Sequence, residues 1–332
     1  MVVSFKCTAT IMITRDLIGD VMKRQQTTKP RITMIGGALD RGGDKINAHA
    51  VAHHGDILAI ATEDVVTVPP TTTIMSTVKT MLNHGFRRIP IADAGTQQLR
   101  GIIVCRDIVD FLCGGPRHSL VTNRFDGNIL AAVNEEVREI METDVAYLHT
   151  DSSIEDALKL MKDANVGYLP IMDKDERVSG IVTEQDFMQM VAGIKIGASV
   201  ADYMSTNVMT VEPDSDIGTA GKLMIDNGFR RIPVVKNDIL LGIVTAFDIL
   251  RFLGSGEALT KGATGIDDAL SVPIKTLVIR DVVWTTSDRD IGDAAEMMAE
   301  NGVGSLPIID DGVLTGMLTE RDFVRVLTTS RQ

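Results

Sequence analysis

The chain has 332 residues, 44% hydrophobic and 23% charged. That is enough for about two domains with a large buried core, and the composition excludes a mostly disordered or fibrous chain. Acidic residues outnumber basic ones 45 to 33, for a formal net charge of -12, and aromatics make up only 4% of the chain. Both features disfavour nucleic acid, which calls for a basic surface and rings that stack on bases.

Residues 1 to 62 match no other part of the chain. They mix basic positions (Lys6, Arg15, Lys23, Arg24) with glycines (Gly36, Gly37, Gly42, Gly43) and read as an accessory arm. Lys6, Arg15 and Asp16 interrupt the first apolar stretch, and no run approaches the roughly 18 apolar residues of a membrane helix, so neither a signal peptide nor a membrane span is expected. Cys7, Cys105 and Cys113 show no Cys-x-x-Cys spacing, which fits a reducing cytoplasm and packing roles. His49, His53 and His54 offer a metal pair at helical spacing but no third ligand.

From residue 63 onward the chain repeats itself. Gly85-Phe86-Arg87-Arg88-Ile89-Pro90 recurs as Gly228-Phe229-Arg230-Arg231-Ile232-Pro233. Asn165-Val166-Gly167-Tyr168-Leu169-Pro170 alternates with them and recurs around Val303-Gly304-Ser305-Leu306-Pro307, giving the order A, B, A, B. Before each segment a β-branched stretch such as Val65–Val68 or Val208–Val211 predicts a strand. Ile154, Ala157, Leu158 and Met161, and later Ile291, Ala294, Ala295 and Met298, follow the spacing of a one-faced helix. Gly85, Gly167, Gly228 and Gly302 stand where left-handed caps would end those helices. The Gly-rich starts at Gly114 and Gly254 lead into connectors that regain helical residues.

A second signature closes each unit: Gly101–Asp107, Gly180–Asp186, Gly242–Asp248 and Gly316–Asp322, mostly in the form Gly-apolar-apolar-Thr-x-x-Asp. A strand that ends at the Thr and a helix that starts after it aim the hydroxyl and unpaired backbone N–H groups at one cleft, while the Asp sits in the first turn with oxygens able to accept from a vicinal diol. The same pattern serves as a plain helix cap, and a repeated fold repeats its caps. Arg87, Arg88, Arg230 and Arg231 tilt the balance, because guanidinium beside a helix N-terminus suits phosphate. Strand alternation predicts that one member of each pair faces a given cleft. Trp284 reads as a core ring, with an adenine pocket as the other option. No phosphate loop, zinc helix or nucleophile elbow occurs.

These units resemble the cystathionine β-synthase (CBS) domain, in four copies over about residues 63 to 327. The Arg-Arg-Ile-Pro segments resemble the basic pair before proline in the gamma subunit of AMP-activated protein kinase and in archaeal four-repeat relatives. The resemblance implies an α/β (α+β) fold: four repeats, each a small three-stranded sheet with two helices, paired into two Bateman modules, 63–193 and 194–332, that form a disc. It implies AMP, ADP or ATP between paired repeats. Asp107, Asp186, Asp248 and Asp322 would then take the ribose, with Thr183, Thr245, Thr319 and the arginines on phosphate. Val104 replaces the hydroxyl in the first repeat, so that site is expected to be weakest and three sites to fill. The function so implied is a cytoplasmic, non-enzymatic sensor without catalytic cofactor or metal, acting on an unidentified protein partner, with a homodimer left open. The competing readings are an unliganded interaction scaffold and a binder of S-adenosylmethionine.

Overall fold

The computed structural model describes residues 56–254, 266–278 and 281–329. The arm up to residue 55, with Cys7 and the three histidines, lies outside the described residues. None of the described helices is long and apolar enough to cross a membrane.

The first repeat contains α1 (Ile74–His84), β1 (Arg88–Ala92), β2 (Leu99–Val104) and α2 (Cys105–Leu112). Short helices α3 (Ser119–Phe125) and α4 (Ile129–Ala132) form the connector. The second repeat contains β3 (Leu148–His149), α5 (Ile154–Asp163), β4 (Tyr168–Met172), β5 (Val178–Thr183) and α6 (Glu184–Val191). The third has α7 (Ile217–Asp226), β6 (Arg231–Lys236), β7 (Ile239–Thr245) and α8 (Ala246–Gly254). After α9 (Ile266–Leu270), the fourth has α10 (Ile291–Asn301), β8 (Ser305–Asp310), β9 (Val313–Thr319) and α11 (Glu320–Thr328).

The helix spacing read from the sequence matches what is buried. In α5 the buried residues are Ile154, Ala157, Leu158 and Met161, and Ser153 caps the helix by accepting from the Asp156 N–H. In α10, Ile291, Ala294, Ala295 and Met298 face the core. Gly85 and Gly302 close α1 and α10 in the left-handed conformation, at φ 69° and 62°. Gly167 does not take that role; Asn165 adopts the left-handed turn in its place, at φ 57°.

Each sheet is an antiparallel hairpin with a bulge just after the proline: at Ile91/Ala92, Ile171/Met172, Val234/Val235 and Ile308/Ile309. The expected third strand is shorter than its β-branched stretch suggests. It is a two-residue strand in the second repeat, and a single parallel bridge at Val68, Val211 and Thr285 in the others. Pro69 and Pro213 follow closely on two of these bridges and remove the N–H groups that would extend pairing.

A segment exchanged between neighbours was not legible in the repeat pattern. Short 3-10 turns, Asp56–Ala59, Val137–Glu139, Val200–Asp202 and Ile274–Thr276, precede the four repeats. Their apolar anchors Ile57, Val137, Val200 and Ile274 are fully buried, each donating its backbone N–H to the adjacent repeat (Ser152, Thr72, Arg289 and Ser215 carbonyls). The boundary drawn at residue 62 therefore cuts through packed structure: Asp56 accepts from the Ile154 N–H, and Thr62 bridges to Ile181. Strand edges thus tie the first repeat to the second and the third to the fourth, through Gln98–Arg177 and Ser205–Met317 bridges among others.

The buried helices tie a different set of partners. One core joins the first and third repeats around Phe111, Ile108, Met224, Ile249 and Phe252. The other joins the second and fourth around Phe187, Met161, Met298, Leu318 and Phe323. Each repeat has one partner through strand edges and another through its core, which closes the four into a ring. Cys105 and Cys113 are buried in the first core, and burial pushes both thiols up to about 12. Trp284 is not a core ring; it is 50% exposed, beside the lone bridge at Thr285.

Candidate functional site

At the centre of the ring lies a cavity of about 490 Å3, lined by residues of all four repeats. Arg87, Arg88, Arg230 and Arg231 all reach it, together with Asp107, Thr245 and Asp248. Both members of each arginine pair line the cavity, against the expectation from strand alternation. Arg87 and Arg230 precede β1 and β6, so they stand before the pleat begins.

The arginines are held by residues that the sequence signatures did not single out. Glu184 and Glu320 follow Thr183 and Thr319 directly, as first residues of α6 and α11, and are 1% and 4% exposed. Arg230 Nη2 donates to Glu184 Oε2 at 2.6 Å. Arg87 lies 3.4 Å and Arg231 3.8 Å from the Glu320 carboxylate. Arg88 donates to the Gly167 carbonyl and stacks over Tyr168. Burial, with the Arg230 charge next, lowers Arg88; burial brings Arg231 to about 10 despite Glu320. Arg230 is also penalised by burial, but the Glu184 charge and hydrogen bond raise it on balance.

The glycines of the B repeats make room for these carboxylates. A Cβ on Gly167 would lie 2.6 Å from Glu184 Cδ, and one on Gly304 would lie 2.7 Å from Glu320 Oε1 and 2.9 Å from Arg231 Nη2. The repeats are complementary: A carries Arg-Arg with an uncharged Cys105 or Ala246 after the strand, and B carries Gly with a Glu. That Thr-Glu against Val-Cys and Thr-Ala contrast is present in the sequence and is the signal that identifies the glutamates.

In each signature the strand ends and the helix begins where the spacing predicts. The Asp carboxylate folds back: Asp186, Asp248 and Asp322 accept from the backbone N–H and the hydroxyl of Thr183, Thr245 and Thr319, at 2.6 to 2.9 Å. Asp107 accepts from the Val104 N–H alone, at 2.9 Å, because valine brings no hydroxyl. The second oxygen meets a cation in three repeats: Arg117 at 3.3 Å from Asp107, Arg251 at 2.6 Å from Asp248 and Arg325 at 3.4 Å from Asp322. Burial raises Asp107 and Asp322 and brings Asp186 to about 6, against the lowering effect of its Thr183 hydrogen bonds. Thr183, Asp186, Thr319 and Asp322 occupy equivalent positions but do not line the central cavity. No group of three or more His, Cys, Asp or Glu able to hold a metal occurs among the described residues.

The model of the CBS domain matches residues 55–114, 137–193, 200–255 and 274–329. Its starts coincide with the four 3-10 turns. Protein MJ1225 of Methanocaldococcus jannaschii is 34% identical over 264 residues, covering 79% of this chain and 94% of that protein. A 33.4 kDa protein of the ribosomal RNA operon of Thermofilum pendens is 29% identical, covering 77% of this chain and 85% of its own. The crystal structure of MJ1225, a protein proposed as an archaeal homologue of γ-AMPK, superposes with a TM-score of 0.77 at 34% identity, over 82% of this chain and 99% of that one. Four matched repeats on one ring establish the relationship, and the chain belongs to the CBS-domain family.

Proposed function

We propose that this protein is a non-catalytic regulatory protein that binds an adenine nucleotide, AMP, ADP or ATP, in the central cavity. One observation carries the reading: four arginines of the first and third repeats converge with Asp107 and Asp248 on a single cavity of nucleotide size. Guanidinium forks match phosphate oxygens, and a carboxylate oxygen accepts from the two hydroxyls of a ribose. Val104, Ile243 and Val283 supply apolar wall for a base. The kinship with a relative proposed as a γ-AMPK homologue supports the regulatory part. Residues of all four repeats bound the cavity, so occupancy alters every interface of the ring at once. Coupling of that kind is typically worth about 1 to 3 kcal/mol to a protein partner's binding. The buried free thiols Cys105 and Cys113 suit a reducing cytoplasm.

Thermal unfolding with AMP, ADP, ATP and S-adenosylmethionine tests the reading. A ligand at about 100 times its Kd adds roughly 2.7 kcal/mol of stability. S-adenosylmethionine, whose sulfonium would meet arginines, should shift the protein least; no shift with any nucleotide sinks the proposal.

A scaffold reading rests on the caps. Both oxygens of Asp248 are engaged, by Thr245 and by Arg251. On that reading Asp248→Ala costs about 1 kcal/mol of stability, a capping increment, and changes no ligand affinity. On the nucleotide reading, Asp248→Ala also weakens AMP.

A further inference from the structure

We propose that Glu184 and Glu320 determine which phosphate chain the cavity accepts, by lowering its positive charge to a value that suits a single dianionic phosphate. The inference rests on the nucleotide reading above and goes beyond it by assigning selectivity to two residues outside the signature Thr and Asp positions.

The fold does not require these carboxylates. The equivalent positions in the first and third repeats hold Cys105 and Ala246, and those helices start in the same way after the same strands. Yet the glutamates are almost fully buried, and Glu184 Oε1 has no hydrogen-bond partner among the described residues. A buried carboxylate with one oxygen unsatisfied is costly, so packing alone gives no reason for its presence. The B repeats also keep Gly167 and Gly304, where any side chain would strike these same carboxylates.

The charge balance supplies a reason. Among the described residues, eight arginines and four carboxylates line the cavity, a surplus of four positive charges that Glu184 and Glu320 beneath the arginines reduce to two. A phosphomonoester at neutral pH carries two negative charges and is matched. A triphosphate brings two more, and these meet Glu184 and Glu320 behind the guanidinium groups. Interactions between charges this close in a partly buried site are strong enough to discriminate.

The test is calorimetric titration of the full chain with AMP and with metal-free ATP, for the native protein and for Glu184→Gln and Glu320→Gln. Glutamine keeps the size and an oxygen acceptor for arginine, so the substitution removes charge and little else. The native protein should bind AMP the more tightly, and each substitution should move the ATP-to-AMP affinity ratio toward ATP by about tenfold. AMP binding with a ratio that stays within about twofold in both variants overturns this inference and leaves the nucleotide reading intact. Failure of the native protein to bind either nucleotide overturns this inference, and failure with ADP as well overturns the nucleotide reading too. If the variants do not fold, thermal unfolding of the native protein in equal concentrations of orthophosphate and tripolyphosphate decides. Equal or greater stabilisation by orthophosphate supports the inference, and greater stabilisation by tripolyphosphate overturns it.

Discussion

Arg230 and Glu184 form an ion pair of 2.6 Å between the third and second repeats, in which Glu184 is 1% exposed and Arg230 36%. The asymmetry of burial gives an asymmetric expectation. Arg230→Ala leaves a carboxylate in the interior without the one donor it has among the described residues, a change that typically costs about 3 to 5 kcal/mol. Glu184→Ala leaves a guanidinium that reaches solvent on its open side, so the loss should be smaller, about 1 to 2 kcal/mol. Urea unfolding of the two variants without nucleotide measures the order; equal losses would show that the pair is not desolvated in solution.

Gly167 has no positive φ to justify it, so its conservation of space for Glu184 is the physical reason for glycine there. Gly167→Ala should destabilise by about 1 to 3 kcal/mol, the usual range for overpacking. The carboxylate it strikes cannot swing aside without giving up Arg230. In a Glu184→Ala background the same alanine should cost well under 1 kcal/mol, a non-additivity that a double-mutant cycle reads directly. Additive losses would place the clash elsewhere.

The helices and hairpins were legible because their signals are local. The i, i+3, i+4, i+7 positions of α5 and α10 mark one face, and Thr-x-x-Asp marks the junction of strand and helix. The pairing of cores was not legible: Phe111 and Phe252 share one core though about 140 residues separate them, and nothing in either helix names its partner. Pseudo-equivalent repeats make this harder, since each apolar helix face fits several others. The role of Glu184 and Glu320 is hidden in the sequence for a related reason. A Glu at the first position of a helix is ordinary favourable placement at the dipole, and only the arginines brought in by other repeats give it another meaning.

Asp186 carries a pH expectation. Burial raises its carboxyl to about 6 in the folded chain, above the ordinary carboxylate value of 3.8 that the unfolded chain retains. The folded state therefore holds the proton more tightly, so this contribution to stability is full below about pH 4 and is lost as pH rises through about 6. Asp107 and Asp322, raised in the same direction, add to the slope. Asp186→Asn keeps an acceptor for Thr183 and removes the titration. The variant should lose less stability than the native protein between pH 4 and pH 6.5, measured by urea unfolding at a series of pH values. An unchanged slope would mean that water reaches the Asp186 carboxyl.

The division of labour between strand edges and cores has a consequence for truncation. A chain ending at residue 193 keeps the edge pairing of the first two repeats but loses Met224, Ile249, Leu250 and Phe252 from one core and Met298, Leu306, Phe323 and Leu327 from the other. The faces left without those partners carry Ile108, Phe111, Met161 and Phe187, large apolar side chains buried in the full chain, and soluble monomers seldom expose such groups together. A second copy presents pseudo-equivalent helices in the required places, so two fragments can cover one another as the two halves of the full chain do. The fragment should therefore sediment as a dimer at micromolar concentration, while the full chain needs no such partner for its cores. A fragment that sediments as a folded monomer would show that each core half is stable when uncovered, and that the ring is held chiefly by its strand edges and its central ion pairs.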